Sequence, residues 1–247
     1  MDLKEFFQAH PKAALAFSGG VDSAYLLYAA KACGCEVHAY YVHSAFQPAF
    51  ELRDATRLAE EVGAPMTVLE ADILSNSKVA ANPADRCYHC KHALFSLLWE
   101  AARADGCTLL LDGTNASDDA GDRPGMRALR ELEVRSPLRE CGLTKAEVRR
   151  LSKEAGLFTW NKPAYACLAT RIPTDETITA DALHRVEEAE NALFALGFTD
   201  FRVRVYHGGA RLQFPEPQMG LVLEQRAKII GAVSPWLTPV LLDLEAR

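Results

Sequence analysis

The chain has 247 residues, 49% of them hydrophobic and 24% charged, with a formal net charge of −6. That composition is ordinary for a soluble globular protein, and the acidic balance removes any global attraction to nucleic acid or to an anionic membrane. No apolar run approaches the roughly 18–20 residues needed to span a bilayer, so a cytoplasmic protein is expected, of about two domains on a prior of about 150 residues each.

The predicted elements run in chain order as follows. Ala13–Phe17 is an apolar strand that enters Ser18-Gly19-Gly20-Val21-Asp22-Ser23, and a helix beginning near Ala24 follows at once. Such a loop offers backbone N–H groups, two hydroxyls and a helix N-terminus to one anion, and its glycines allow close approach. It lacks the Lys of a Walker loop and the third glycine of a dinucleotide fingerprint. The first helix ends at Gly34, and Glu36–His43 reads as a second strand. Pro48–Glu61 carries Phe50, Ala55, Leu58 and Ala59 at helical spacing and stops at Gly63. Met66–Leu69 is a third strand, His92–Ala104 a helix, and Thr108–Asp112 a short apolar fourth strand. Thr144-Lys145-Ala146-Glu147 is a capping box that opens the helix Val148–Ala155. This alternation predicts a doubly wound parallel sheet of α/β class, with ligands at the carboxyl ends of its strands.

After Pro173 the texture changes. An amphipathic helix Thr179–Leu196, a hairpin of Phe201–Tyr206 and Ala210–Phe214 joined at Gly208-Gly209, a helix Pro217–Val233 and a last strand Pro239–Leu244 predict a small α+β domain. The expected division is residues 1–173 and 174–247. The small unit is marginal alone, which points to packing on a partner and a homo-oligomer.

Three regions carry chemistry. The loop Asp112-Gly113-Thr114-Asn115, with Asp118, Asp119 and Asp122 after it, has the donors that a hydrated Mg²⁺ and a ribose or amide use; a solvated turn is the plain alternative. The basic run from Arg123 to Lys153, including Lys145, is interleaved with Glu and reads first as a salt-bridged surface and second as a phosphate-binding face. Seven cysteines in a chain of this class do not suggest a disulfide framework. Cys33, Cys35 and Cys107 look like packing residues. Cys87 and Cys90 form Cys-x-x-Cys, and Cys167 lies far along the chain; by residue type alone a redox pair, half a zinc site, packing or a three-thiolate [4Fe–4S] cluster with an open iron all remain.

Ser18–Ser23 resembles the PP-loop of the N-type ATP pyrophosphatases. Together with Arg86-Cys87-Tyr88-His89-Cys90-Lys91, Asp112–Asn115 and its acidic continuation, Arg135-Ser136-Pro137-Leu138 and Ala166-Cys167-Leu168-Ala169-Thr170-Arg171-Ile172-Pro173, it is similar to the LarE family. The resemblance implies an ATP-dependent sulfur transferase of nickel-pincer nucleotide biosynthesis, using ATP and Mg²⁺ on a small-molecule mononucleotide. Such a family adenylates a carboxylate of pyridinium-3,5-biscarboxylic acid mononucleotide and replaces AMP by sulfur. Matched positions imply ATP contacts at Ser18, Gly19, Gly20, Val21, Asp22, Ser23, Asp112, Gly113 and Asn115, with Mg²⁺ on Asp22 and Asp119. They imply a catalytic group of Cys87, Cys90, Cys167 and Arg171, and a substrate-phosphate site of Glu190, Arg202 and Arg204; Gln213 stands where some relatives carry an acid. Some members sacrifice one cysteine, at the position of Cys167, and others carry a [4Fe–4S] cluster on three; all three cysteines here favour the cluster. A tRNA thiolase or a non-catalytic nucleotide-binding protein are the alternatives, the first disfavoured by the acidic charge and the lack of a basic RNA-binding appendage.

Overall fold

The computed structural model describes residues 1–118 and 124–247. Helix α1 (Leu3–Ala9) is closed at its start by a capping box of Asp2 and Glu5 and leads into β1 (Lys12–Ala16). Helix α2 (Val21–Ala32), β2 (Glu36–His43), α3 (Ala49–Val62) and β3 (Met66–Glu70) follow. After the short turn α4 (Ser77–Ala80) come α5 (Arg86–Ala104), β4 (Leu110–Leu111), α6 (Pro124–Glu131), α7 (Pro137–Glu140) and α8 (Lys145–Glu154). The remainder is α9 (Ala180–Ala195), β5 (Arg202–Tyr206), β6 (Gly209–Gln213), α10 (Met219–Glu224), α11 (Arg226–Val233) and β7 (Val240–Leu242).

The contacts divide the chain into two compact units, Met1–Ile73 with Asp85–Lys162, and Leu74–Ala84 with Pro163–Arg247. The first holds a four-stranded parallel sheet in the order β3-β2-β1-β4. Side chains alternate across it: Ala13, Leu15, Ala39 and Tyr41 enter a core with Phe6, Leu26, Leu27 and Leu58, whereas Ala14 and Tyr40 enter another with Leu98, Trp99 and Leu110. Both faces are thus covered by helices, and the doubly wound expectation holds for this unit. No described helix is long and apolar enough to cross a membrane.

The second unit holds a three-stranded sheet, β5-β6 antiparallel and β6-β7 parallel. The hairpin turn is His207-Gly208, both at positive φ as a two-residue primed turn requires, so Gly209 belongs to β6 and not to the turn. The second unit begins at Pro163 and borrows 74–84, whereas the change of texture in the sequence falls at 173. The reason is local pairing: Asn82 Nδ2 donates to the Pro173 carbonyl at 2.7 Å, and Asp175 and Ile178 donate their N–H to the carbonyls of Asn82 and Ala80.

Two helices differ from expectation. Helix α5 starts at Arg86, six residues before His92, because its polar first turns are held from α6: the Tyr88 hydroxyl donates to Glu131 at 2.7 Å, and Arg127 lies 3.9 Å over the Tyr88 ring. The helix expected over 217–233 is broken at Gln225, which sits at φ −94°, ψ 13° between α10 and α11.

Candidate active site

In the first unit the phosphate loop joins β1 to α2. Gly19 adopts φ +68°, and a Cβ there would stand 3.0 Å from Ala55 Cβ, so the loop is seated against α3 at a position only glycine tolerates. Gly20 is the N-cap of α2, and no side chain caps it. Helices α1 and α8 close their own starts with capping boxes, whereas α3 and α5 share the uncapped start with α2 but are not preceded by a Ser-Gly-Gly loop at a strand end. The leading N–H groups of a 12-residue helix, with its dipole behind them, are therefore left to a ligand. Beside them the Ser18 and Ser23 hydroxyls stand 3.1 Å apart; Ser23 Oγ accepts from Ser18 N at 3.3 Å and donates to Gly20 O at 3.2 Å. Ser18 is exposed and Ser23 buried, so Ser23 braces the loop and Ser18 presents its hydroxyl outward.

The loop after β4 closes on this cradle. A Cβ on Gly113 would lie 2.8 Å from Ser23 N and 3.1 Å from Ser23 Cα, which makes Gly113 a site of backbone-on-backbone approach. Asn115, 2% exposed, donates from Nδ2 to Asp22 Oδ1 at 3.3 Å while its Oδ1 accepts from Ser117 N at 2.8 Å. The Asp112 carboxylate is turned away from the cradle: it accepts from Ser136 Oγ at 2.6 Å and from both the N–H and hydroxyl of Thr114. Asp112 thus shapes the loop, Asn115 sets Asp22, and Asp119 lies outside the described residues.

One residue that the sequence reading assigned to a salt-bridged surface belongs here. Lys145, the first residue of α8, forms an ion pair with Asp22 Oδ2 through its Nζ. Its backbone N–H donates to Ser117 Oγ at 3.0 Å, tying α8 to the same loop. The only sequence signal was its place just inside a capping box; the pairing spans 123 positions and cannot be read locally. Lys145→Met is expected to weaken ATP use by about 10-fold or more, on the scale of losing a charge-assisted contact of about 1.5–3 kcal/mol. Pyrophosphate release at varied ATP reads this, and wild-type kinetics in the variant reject the assignment.

The cysteines separate by environment. Burial pushes the thiol of Cys35 up to about 11 and raises those of Cys33, Cys107 and Cys141. Cys87 is exposed, and Cys90 lies three residues on along α5, on the same helical face, half-buried. In the second unit Cys167 is half-buried at the start of the 3-10 turn Leu168–Arg171. Among the described residues, no three His, Cys, Asp or Glu side chains stand together as a metal site. Thiols are the donor type that an iron–sulfur cluster uses, and none of these three is sealed in a core; Cys87 and Cys90 belong to the first unit and Cys167 to the second. Brief alkylation of the folded protein at neutral pH, mapped by mass, is expected to label Cys87 early and to spare Cys35 and Cys107 until denaturation; early labelling of Cys35 would count against this sorting.

The second unit corrects two expectations. Arg171 is 1% exposed and its donors are committed: Nε and Nη2 to Glu190 at 2.8 and 3.3 Å, Nη1 to Ala166 O at 3.0 Å and to Thr170 Oγ1 at 2.8 Å. It braces the Cys167 turn and is not poised to hold a thiolate or a substrate carboxylate. Glu190, also 1% exposed, additionally accepts from the Tyr165 hydroxyl and from Val203 N at 3.0 Å, so it is a buried hub and not a free acid. Arg202 donates to the carbonyls of Phe201 and Ala164, and Arg204 to Gln213 Oε1 at 2.6 Å and Thr170 O. Burial, reinforced by Arg171 and Arg247, pushes the Arg202 guanidinium down to about 10; burial with Arg171 and Arg211 nearby also lowers Arg204. Gln213 passes its amide to Asp243 at 2.8 Å, which makes it a link between Arg204 and that carboxylate.

A doubly wound parallel sheet with an uncapped Ser-Gly-Gly-Val-Asp-Ser loop at the end of its first strand defines a PP-loop protein of the ATP pyrophosphatase type. A family model described as queuosine biosynthesis protein QueC matches residues 12–87. Pyridinium-3,5-bisthiocarboxylic acid mononucleotide synthase of Lactiplantibacillus plantarum is 36% identical over 208 residues, 83% of this chain and 75% of that protein. The uncharacterized protein slr1717 of Synechocystis is 37% identical over 219 residues, 88% and 82% of the two chains. The uncharacterized protein MJ0830 of Methanocaldococcus jannaschii is 28% identical over 229 residues, 93% and 87% of the two chains. The chain belongs to the LarE family.

Proposed function

We propose that this chain is an ATP-dependent sulfur transferase that adenylates a carboxylate of pyridinium-3,5-biscarboxylic acid mononucleotide and converts it to a thiocarboxylate, with Cys87, Cys90 and Cys167 holding a [4Fe–4S] cluster. The relative from Lactiplantibacillus plantarum bears the name of a synthase of the bisthiocarboxylic acid mononucleotide, which supports the substrate class. The observation that carries the reading is the uncapped start of α2, in a chain that also keeps Cys87 exposed one helical turn from Cys90.

A carboxylate is a poor electrophile until it is converted to a mixed anhydride. Its oxygen attacks the α-phosphorus of ATP, and the bond to the bridging oxygen breaks, with its electron pair leaving on pyrophosphate. The α2 N–H groups and the Ser18 hydroxyl stabilise that departing charge, and Lys145 adds a cation; Asp22, which Asn115 and Lys145 hold in place, would be the carboxylate for Mg²⁺, which would supply further charge stabilisation when bound. A sulfur nucleophile then forms the C–S bond as AMP leaves with the C–O electron pair. The cluster, when bound, would carry a sulfide taken from an external donor and present it to the acyl-adenylate, so that no cysteine is consumed.

The substrate phosphate is assigned to Arg202 and Arg204. Arg171 pairs with Glu190, whereas Arg202 faces Asp200 at 3.9 Å and Arg204 reaches Asp243 through Gln213, so a phosphate dianion would give these two guanidiniums a closer anionic partner. The exposed Leu221, Leu223 and Ile230 of the second unit are in keeping with a homo-oligomer.

Anaerobic purification with iron, acid-labile sulfide and the visible spectrum read together tests the proposal, followed by turnover with the mononucleotide, ATP and added sulfide. Iron and sulfide near four each per chain, with repeated turnover, are expected by the stoichiometry of the cluster at about four iron and four sulfide. A colourless protein that turns over once, leaving Cys167 lighter by about 34 Da from loss of H₂S, would instead establish the sacrificial route.

A further inference from the structure

The hairpin of the second unit sets two arginines directly opposite each other. In the register of β5 and β6, Arg204 is the partner of Arg211, and Arg202 is the partner of Gln213. Directly paired residues share a face, so these four side chains stand on one side of the sheet, while Val203 and Leu212 are buried on the other. Like charges directly opposite on an antiparallel pair weaken it. The stability of the hairpin therefore does not explain the facing arginines.

The three arginines of this face are not equally committed. Arg202 gives Nη1 and Nη2 to the carbonyls of Phe201 and Ala164, and Arg204 gives Nε and Nη1 to Gln213 Oε1 and Thr170 O. The Nε of Arg211 is closed to solvent and has no hydrogen-bond acceptor among the described residues. The Asp243 carboxylate stands 3.7 Å from it and already accepts from Gln213 Nε2 at 2.8 Å and from Glu245 N at 3.3 Å. The side chain is nevertheless 41% exposed, with its guanidinium 5.6 Å from the Tyr206 ring, so an incoming molecule can reach it. A buried N–H without an acceptor is unfavourable, and a guanidinium offers donors alone. A phosphate oxygen satisfies that donor, and its charge offsets both facing cations. Through Thr170 O, Arg204 ties this face to the turn that follows Cys167, within the same unit. We infer that Arg211 is a specificity-determining residue that holds, beside Arg204, the phosphate of the mononucleotide substrate. This rests on the substrate reading above and not on the cluster.

Calorimetric binding of the mononucleotide and of its dephosphorylated riboside to the full chain, without ATP, tests the assignment in wild type, Arg211→Met and Arg211→Gln. Wild type is expected to bind the mononucleotide more tightly than the riboside. Arg211→Met is expected to lose about 10-fold or more of that preference, the scale of one charge-assisted contact. A purely structural role would weaken both compounds alike and leave the preference intact. An intact preference in Arg211→Met, or a wild type that binds both compounds equally well, overturns the inference and leaves the substrate reading standing. A wild type that binds neither compound overturns both. If the Met variant does not fold, as judged by circular dichroism, the Gln variant decides: it keeps a polar side chain without the charge, and an undiminished preference there rejects the inference.

Discussion

Gly113→Ala is expected to abolish most ATP cleavage while leaving a folded protein. The added methyl would stand 2.8 Å from Ser23 N, 3.1 Å from Ser23 Cα and 3.3 Å from the Asp22 carbonyl carbon. These are backbone atoms of the first turn of α2, so no side-chain rotation relieves the contact. Either the Asp112–Asn115 loop or the helix start must move, and both carry the site: Asn115 holds Asp22, and the helix start supplies the anion-binding N–H groups. A displacement of about 1 Å at a reacting centre costs on the order of 10²-fold, so pyrophosphate release is expected to fall by about that factor. Overpacking of this kind lowers stability by about 1–3 kcal/mol. Gly220→Ala is the control, since a Cβ there has open space in α10 and alanine raises helix propensity by about 1 kcal/mol. Pyrophosphate release together with urea unfolding separates the two effects. Wild-type turnover in Gly113→Ala would show that the close approach does not matter to the chemistry.

Glu190→Ala is expected to be the most destabilising single change in the second unit. Its carboxylate accepts from Arg171 twice, from the Tyr165 hydroxyl and from the Val203 N–H, in a site closed to solvent. Removing it strands the Arg171 charge, whose side chain has no exposed surface, along with a backbone donor of β5. Breaking a buried pair in this way costs about 3–5 kcal/mol. The double change Arg171→Met with Glu190→Leu removes both charges and is expected to recover most of that stability, because apolar groups of similar volume often replace a buried pair without loss. Activity is not expected to return with it, since Arg171 also holds the Ala166 carbonyl beside Cys167. Denaturant midpoints for the single and double variants, with sulfur transfer assayed in parallel, test the pair. A single variant within about 1 kcal/mol of wild type would contradict a burial penalty of that size.

Much of the first unit was legible from local pattern. Strand–loop–helix around Ser18–Ser23, the capping box at Thr144 and the end of α3 at Gly63 each depend on neighbours in sequence and each is present, although α2 starts at Val21, three residues before the expected start near Ala24. The start of α5 was not legible. Arg86–Lys91 has no apolar period, and its helicity depends on Glu131 and Arg127, more than thirty positions away. The same limit hid the unit boundary, which Asn82 sets by bonding across ninety-one positions to Pro173.

By itself the sequence determined the chemistry available. A phosphate loop, three cysteines outside the apolar runs and a strand with two arginines on one face are matters of residue type and short spacing, and no tertiary contact is needed to see them. Only the tertiary structure decided which of those side chains are free to act. It committed Arg171 and Glu190 to each other, turned Asp112 onto Ser136 and brought Lys145 to Asp22. The physical reason is that a buried charge must find its partner wherever the fold brings one near, and these three pairings join residues 19 to 123 positions apart.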